Sequence, residues 1–114
     1  MGGTLSRQDG RAKGGEMNDR YVGKPFLMLL DSYVIDAVGA IDPVREAEAR
    51  ALEPQFGGGG WRAIVAREMR FPEGMAGAIR EVWDKGRARF AEANGHDPDP
   101  AEFARIFVDT NFPR

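Results

Sequence analysis

The sequence contains no cysteine and a single histidine, His96, among its 114 residues. Without cysteine, disulfides, thiolate nucleophiles, iron–sulfur clusters and the usual structural zinc sites are excluded. The same absence fits a reducing compartment, so we expect a cytoplasmic protein. Because the one histidine lies in a loop-like segment at residues 94–99, neither a Ser/His/Asp triad nor a zinc hydrolase site is expected. We therefore expect no metal and no other cofactor.

The sequence also lacks a long apolar run and a strong net charge. Its longest apolar stretch, residues 25–41, is interrupted by Asp31 and Asp36 and is too short for a comfortable membrane span. The formal net charge is −2, which gives no strong attraction to nucleic acid or to acidic membranes. We therefore expect no membrane partner.

Residues 1–20 are predicted to form a disordered tail. The segment has five glycines, and its apolar side chains are Met1, Leu5, Ala12 and Met17. It cannot bury enough apolar surface to offset the entropy lost when a chain becomes ordered. Because a more ordinary N-terminus begins at Met17, we interpret residues 1–16 as vector-derived sequence or as the result of an over-called start. Residues 21–114 are predicted to form one domain.

Proline and glycine are frequent, and they divide residues 21–114 into five blocks. In most blocks the apolar residues recur at a spacing of three and four, which is typical of amphipathic helices. Asp42-Pro43 and Asp99-Pro100 each have the pattern of an N-cap followed by proline in the first turn. The sequence therefore predicts an all-α fold, a compact bundle of four or five helices.

The first block, residues 25–39, is apolar nearly all round the predicted helix, which indicates a buried helix. We expect it at the centre of the bundle or in a subunit interface. Asp31 and Asp36 interrupt it at a spacing that sets them about 140° apart, unlike a catalytic dyad. The favoured interpretation places Ser32 and Asp36 on a narrow exposed stripe and pairs Asp31 with an arginine of a neighbouring helix.

Charge is unevenly distributed along the chain. Residues 24–56 have three basic and six acidic side chains, whereas residues 61–90 have seven basic and four acidic ones. The seven basic residues are Arg62, Arg67, Arg70, Arg80, Lys85, Arg87 and Arg89. They predict a basic surface for phosphates or an acidic partner, and Arg62, Arg67, Arg70, Arg80 and Arg87 are its first candidates. Interleaved acidic residues favour internal pairing instead.

Glycine marks two further positions of interest. The run Gly57–Gly60 precedes a predicted helix, where backbone N–H groups could hold an anion, but a flexible connector is the favoured interpretation. Gly86 lies on the apolar face of the fourth block. It either admits a neighbouring helix closely or permits a kink.

These observations favour a non-enzymatic helical module that acts in regulation or protein–protein interaction. Its partner would be another protein or a second copy, with the homodimer slightly favoured because a small core has to enclose a wholly apolar helix. One alternative is a nucleic-acid-binding domain, in which residues 61–90 loosely follow a helix-turn-helix pattern. The other alternative is a small enzyme that uses Asp31 or Asp36 in an apolar pocket.

Overall fold

The computed structural model describes residues 20–112, and this part of the chain consists of five α-helices and no β-strand. The helices are α1 (Pro25–Ala37), α2 (Pro43–Ala51), α3 (Trp61–Met69), α4 (Met75–Asn94) and α5 (Pro100–Asn111). A short 3-10 helix, Glu53–Phe56, lies between α2 and α3. The all-α bundle predicted from the sequence is confirmed. The predicted tail, apart from Arg20, lies outside the described residues.

The helix ends lie where proline, glycine and aspartate predict them. Asp42 caps α2 by accepting a hydrogen bond from the backbone N–H of Arg45 at 2.8 Å, and Asp99 caps α5 in the same manner. Helix α4 is bounded by Gly74 and Gly95, which have φ values of 85° and 80°. Only glycine adopts these left-handed conformations without strain. Local chemistry therefore defines the starts of α2 and α5 and both ends of α4.

Helix α1 is the centre of the bundle. It packs against each of the other four helices, and none of its residues is exposed. The buried apolar residues outside α1 are its C-cap Val38 and, on the other helices, Ala49, Trp61, Ile64, Val65, Ile79, Trp83, Ala104 and Val108. A single chain thus covers the whole circumference of α1. Within residues 20–112 the four outer helices leave no residue of α1 exposed, so the open face expected for a homodimer is not seen there, and the homodimer stays a prediction.

Helix α4 is only half packed. Its buried residues are Ile79 and Trp83, and every residue from 84 to 94 is exposed except the half-buried Ala91. At 20 residues the helix is about 30 Å long, so residues 84–94 extend beyond the core. We call this segment the outer half of α4. The helix is continuous through Gly86, so this glycine does not break it.

Candidate functional site

Asp31 is a buried carboxylate held by two residues that precede α1. Its side chain accepts hydrogen bonds from Arg20 at 2.6 and 2.9 Å and from the hydroxyl of Tyr21 at 2.7 Å. Arg20 also forms an ion pair with Asp109 of α5 at 3.0 Å. The pairing with an arginine was predicted, but Arg20 was assigned to the tail. Because its guanidinium neutralises a carboxylate that is 2% exposed, Arg20 belongs to the folded unit.

Ser32 lies on the same buried side of α1, and its predicted place on an exposed stripe is wrong. Its hydroxyl donates to the carbonyl of Met28 at 2.7 Å and accepts from Nε of Arg45 at 2.8 Å. Arg45 comes from α2 and also donates to the Tyr21 hydroxyl, above whose ring it lies. The serine is buried because α2 crosses this part of α1, and the α1 sequence alone does not contain that information.

The surroundings of Tyr21 are electrostatically unusual. Burial, reinforced by the negative charge of Asp31, raises the pKa of Tyr21 from 10.0 to about 12. The hydrogen bonds to Asp31 raise the pKa of Arg20 as well. The phenol therefore stays protonated and the guanidinium charged through the physiological range, so neither group is poised for proton transfer there.

Asp36 and Arg62, which the sequence assigned to two different candidate sites, belong to one ion-pair cluster. Arg62 donates to Asp36 at 2.8 Å and to Glu46 at 2.6 Å, which links α3 to α1 and α2. Hydrogen bonds to Glu46 from Arg62, then Arg50 and the indole of Trp61, lower the pKa of this glutamate to about 2. The cluster joins three helices, and both Asp36 and Arg62 contribute to these contacts.

Asp31 and Asp36, the residues of the enzyme alternative, are engaged in hydrogen bonds within residues 20–112. All buried side-chain polar atoms among residues 20–112 have a hydrogen-bond partner, so neither aspartate of α1 presents a free buried group. A groove of about 320 Å³ is present near the start of α1, but Gly23, Lys24, Pro25, Phe26, Leu27 and Phe56 line it. Asp31 and Asp36 are not among these residues.

The remaining residues of the predicted basic surface have different surroundings. Arg67 pairs with its neighbour Glu68 at 3.3 Å, and Arg87 pairs with Asp97 at 3.5 Å. Arg70 is the left-handed C-cap of α3, and Arg80 lies on the packed half of α4. Within residues 20–112 neither Arg70 nor Arg80 forms an ion pair. Three of the five first candidates, counting Arg62, are therefore partnered by acidic residues.

The glycine run before α3 acts as a connector. Gly57, Gly58 and Gly59 have φ values of 92°, 77° and 82°, which explains why glycine is needed at all three positions. The first backbone N–H of α3, at Trp61, donates to the carboxylate of Glu53 at 2.8 Å. The anion at this helix N-terminus is thus a side chain of the protein itself.

Two partly exposed apolar side chains distinguish the outer part of α4, although the ring of Phe90 packs edge-on against His96 with 5.4 Å between the ring centroids. Val82 and Phe90 are 48% and 38% exposed, and the exposed Gly86 lies between them at a spacing of four. A Cβ atom at Gly86 would meet no neighbouring atom of the described chain within 4 Å. We call these three residues the α4 stripe. The sequence predicts this face as part of the core, but within the described chain only Ile79 and Trp83 of α4 are buried.

Charged side chains of both signs border the α4 stripe. Lys85 is three residues after Val82 and Arg89 is three residues after Gly86, so they lie along one edge together with the exposed Glu81 and Glu92, while Arg87 lies beside Phe90 along the other edge. Arg87 and Asp97 are both at least 45% exposed, and such a surface pair contributes little. In the part of the chain described, Lys85 and Arg89 form no ion pair. The stripe is therefore bordered by charges of both signs.

Neither a membrane segment nor a metal-binding cluster occurs within residues 20–112. None of the helices there has the length and apolar character needed to cross a bilayer. Nor do three or more histidine, aspartate or glutamate side chains gather there in a way that could hold a metal ion. No protein-family model matches the chain, and no curated protein or solved structure matches it.

Proposed function

We propose that the protein is a non-enzymatic interaction module that binds another protein through the α4 stripe. The observation that carries this proposal is the exposure of apolar side chains along the outer part of the longest helix. Single exposed apolar residues are ordinary, but here two of them, Val82 and Phe90, lie two turns apart on one side of the helix with Gly86 between them. Helices that dock on a partner use anchors with this spacing.

Gly86 supports the proposal independently. Glycine inside a helix costs about 1 kcal/mol relative to alanine. Nothing in the described chain requires the missing side chain, because the space above Gly86 is open. A glycine at the centre of an apolar stripe allows the backbone of a second helix to approach closely. A partner helix that packs against Gly86 would therefore explain why a residue that destabilises α4 is present there.

The other polar clusters serve as the scaffold. Arg20 with Asp31, and Arg62 with Asp36 and Glu46, tie the segments around α1 together. Their ionised groups are engaged with one another. In a module of this kind the packed bundle positions α4, and the module acts by binding a partner through this helix.

Nucleic-acid binding has weaker support. Arg62 and Arg67 are paired with acidic residues, which reduces the basic character of α3, the first helix of the helix-turn-helix interpretation. Contacts with phosphates would also leave Val82 and Phe90 uncovered. The exposed apolar side chains of α4, with charges of both signs around them, fit a protein partner better.

Affinity capture from the native host tests the proposed function, with the full chain as bait. Val82→Glu introduces a charge into the α4 stripe, and the matched control Val44→Glu changes a valine of α2 that is 68% exposed. Both variants are expected to remain folded by circular dichroism. We expect the wild type and Val44→Glu to retain the same proteins and Val82→Glu to lose them. Retention of an identical set by Val82→Glu would contradict the proposal.

A further inference from the structure

Asn94 is the last residue of α4, and the glycine that follows it ends the helix. Gly95 has a φ of 80°, and its backbone N–H donates to the carbonyl of Ala91 at 2.8 Å. The side-chain amide of Asn94 donates to the carbonyl of Phe90 at 2.9 Å. Two carbonyls of the last turn are satisfied in this way, and the left-handed backbone at Gly95 favours glycine. The same two residues also have a chemical reactivity of their own.

An asparagine that is followed by glycine can modify itself without an enzyme. The backbone nitrogen of Gly95 attacks Cγ of Asn94, a C–N bond forms, and the side-chain nitrogen leaves as ammonia with the proton that the backbone nitrogen gives up. Water then opens the cyclic imide at either carbonyl, which leaves aspartate or isoaspartate at this position. Glycine favours the attack because no side chain hinders the approach of its nitrogen. Nothing is oxidised or reduced, and water is the only co-reactant.

The folded chain restrains both reacting groups. To reach Cγ of Asn94, the Gly95 nitrogen must give up its hydrogen bond to Ala91, and the side-chain amide must give up its bond to Phe90. The reaction therefore needs the last turn of α4 to open. Every residue from 84 to 94 except the half-buried Ala91 is exposed, so little packing opposes this opening. The ring contact of Phe90 with His96 lies at the surface as well.

We infer that Asn94-Gly95 is a site of spontaneous deamidation and that opening of the last turn of α4 sets its rate. The product keeps that turn open. An aspartate side chain cannot donate to the Phe90 carbonyl, and its negative charge is unfavourable at the C-terminal end of a helix. Isoaspartate also lengthens the backbone by one carbon atom, so the hydrogen bond from Gly95 to Ala91 is lost. The modification thus converts a reversible opening into a permanent one.

Asn111 is a matched control within the same chain. It is the exposed last residue of α5, and its side-chain amide donates to the carbonyl of Phe107, four residues earlier, also at 2.9 Å. The N–H of the next residue, Phe112, donates to the carbonyl of Val108 at 2.8 Å. The two asparagines therefore share the same hydrogen bonds. They differ in the residue that follows, which is phenylalanine after Asn111 and glycine after Asn94.

Peptide mapping by mass spectrometry, on the full chain incubated in neutral buffer, tests the inference. We expect aspartate and isoaspartate to form several-fold faster at Asn94 than at Asn111. A synthetic peptide of residues 88–100, and the full chain in concentrated urea, should react at Asn94 at least about tenfold faster than the folded chain, because in the folded chain only the open fraction reacts.

Two alanine-to-glycine substitutions test whether the last turn controls the rate. Ala93→Gly lowers the helix propensity beside Asn94, so the open fraction and the rate should rise about threefold to fivefold. Ala78→Gly is the matched control, because Ala78 is also exposed but lies on the packed half of α4. It should leave the rate unchanged. Circular dichroism establishes that both variants are folded.

Different outcomes overturn different steps of the inference. A folded chain in which Asn94 reacts no faster than Asn111 would remove the site. Equal rates at Asn94 in the folded chain and the peptide, or in Ala93→Gly and Ala78→Gly, would remove the control by α4. Asn94→Asp should increase amide hydrogen exchange at residues 91–95, and unchanged protection there would contradict the permanent opening. None of these measurements depends on whether the α4 stripe binds a partner.

Discussion

Two aspartates of α1 that look alike in the sequence have different surroundings in the structure. Asp31 is 2% exposed and is neutralised by Arg20, whereas the Asp36 side chain is 31% exposed and faces Arg62. The helical pattern predicts that a buried carboxylate here needs an arginine. It cannot identify Arg20 as that arginine, because the chain turns between Arg20 and α1. The helical pattern of apolar residues does not predict this turn.

Replacing each aspartate by asparagine measures this difference. Asp31→Asn removes the buried counter-charge of Arg20, whose side chain is 14% exposed, and leaves it the half-exposed Asp109 alone. We expect a loss of about 2 kcal/mol in the free energy of unfolding, because removing one partner of a buried pair is costly and an exposed carboxylate compensates only part of the charge. Asp36→Asn is the matched control and should cost at most about 1 kcal/mol. Urea denaturation measures both, and equal losses would contradict the distinction.

Tyr21 predicts a dependence of stability on alkaline pH. Its pKa is about 12 in the folded protein and 10.0 at its ordinary value. Between these two values the unfolded chain releases the phenolic proton while the folded chain keeps it. The contribution of Tyr21 to stability is therefore complete below pH 10 and is lost as the pH rises to about 12. Tyr21→Phe should show a smaller alkaline loss of stability, and an unchanged pH profile would contradict the assignment.

At the scale of helices, the sequence predicts boundaries better than it predicts burial. The starts of α2 and α5 and the ends of α4 follow from local groups, namely Asp-Pro caps and glycines in left-handed conformations. The apolar face of α4 is also visible as a pattern. Whether another element covers that face depends on where α5 and α1 lie. The periodicity therefore predicts that Trp83 and Phe90 share a face but not that only Trp83 is buried.

Gly86 offers a test in which stability and binding change in opposite directions. Gly86→Ala should stabilise the protein by about 1 kcal/mol, since alanine favours the helix and its Cβ meets no neighbouring atom. The same methyl group should weaken capture of the host proteins that depend on Val82, because it holds the partner helix away. Gly77→Ala is the control, because Gly77 is open but lies on the opposite face of α4. It should leave binding unchanged. An unaltered affinity in Gly86→Ala would argue against close helix packing there.

At the scale of the whole molecule, the sequence leaves open how α1 is covered. Its apolar residues can be counted, and the count suggests that four amphipathic helices are too few to enclose it. The structure shows that they suffice, because each outer helix packs on α1 more extensively than on its neighbours. The sequence shows how many apolar residues have to be buried. It does not show how the outer helices cross α1. Self-association through α1 stays a prediction that no residue of α1 supports by its exposure. Among residues 20–112 the exposed large apolar side chains lie elsewhere, at Val22, Val44, Val82, Phe90 and Ile106.

Charge substitutions at two valines distinguish the interior of the bundle from its uncovered surface. Val34 is 0% exposed at the centre of α1, so Val34→Glu has to bury a carboxylate with no partner. Burying that carboxylate costs several kcal/mol. The free energy of unfolding of a small domain is only about 5–15 kcal/mol, so the substitution removes a large part of it. We expect Val34→Glu to give an unfolded chain by circular dichroism and Val82→Glu to give a folded one with a near-native thermal midpoint. A folded, monomeric Val34→Glu would instead place Val34 in a subunit interface, and the enclosure of α1 by a single chain would be wrong.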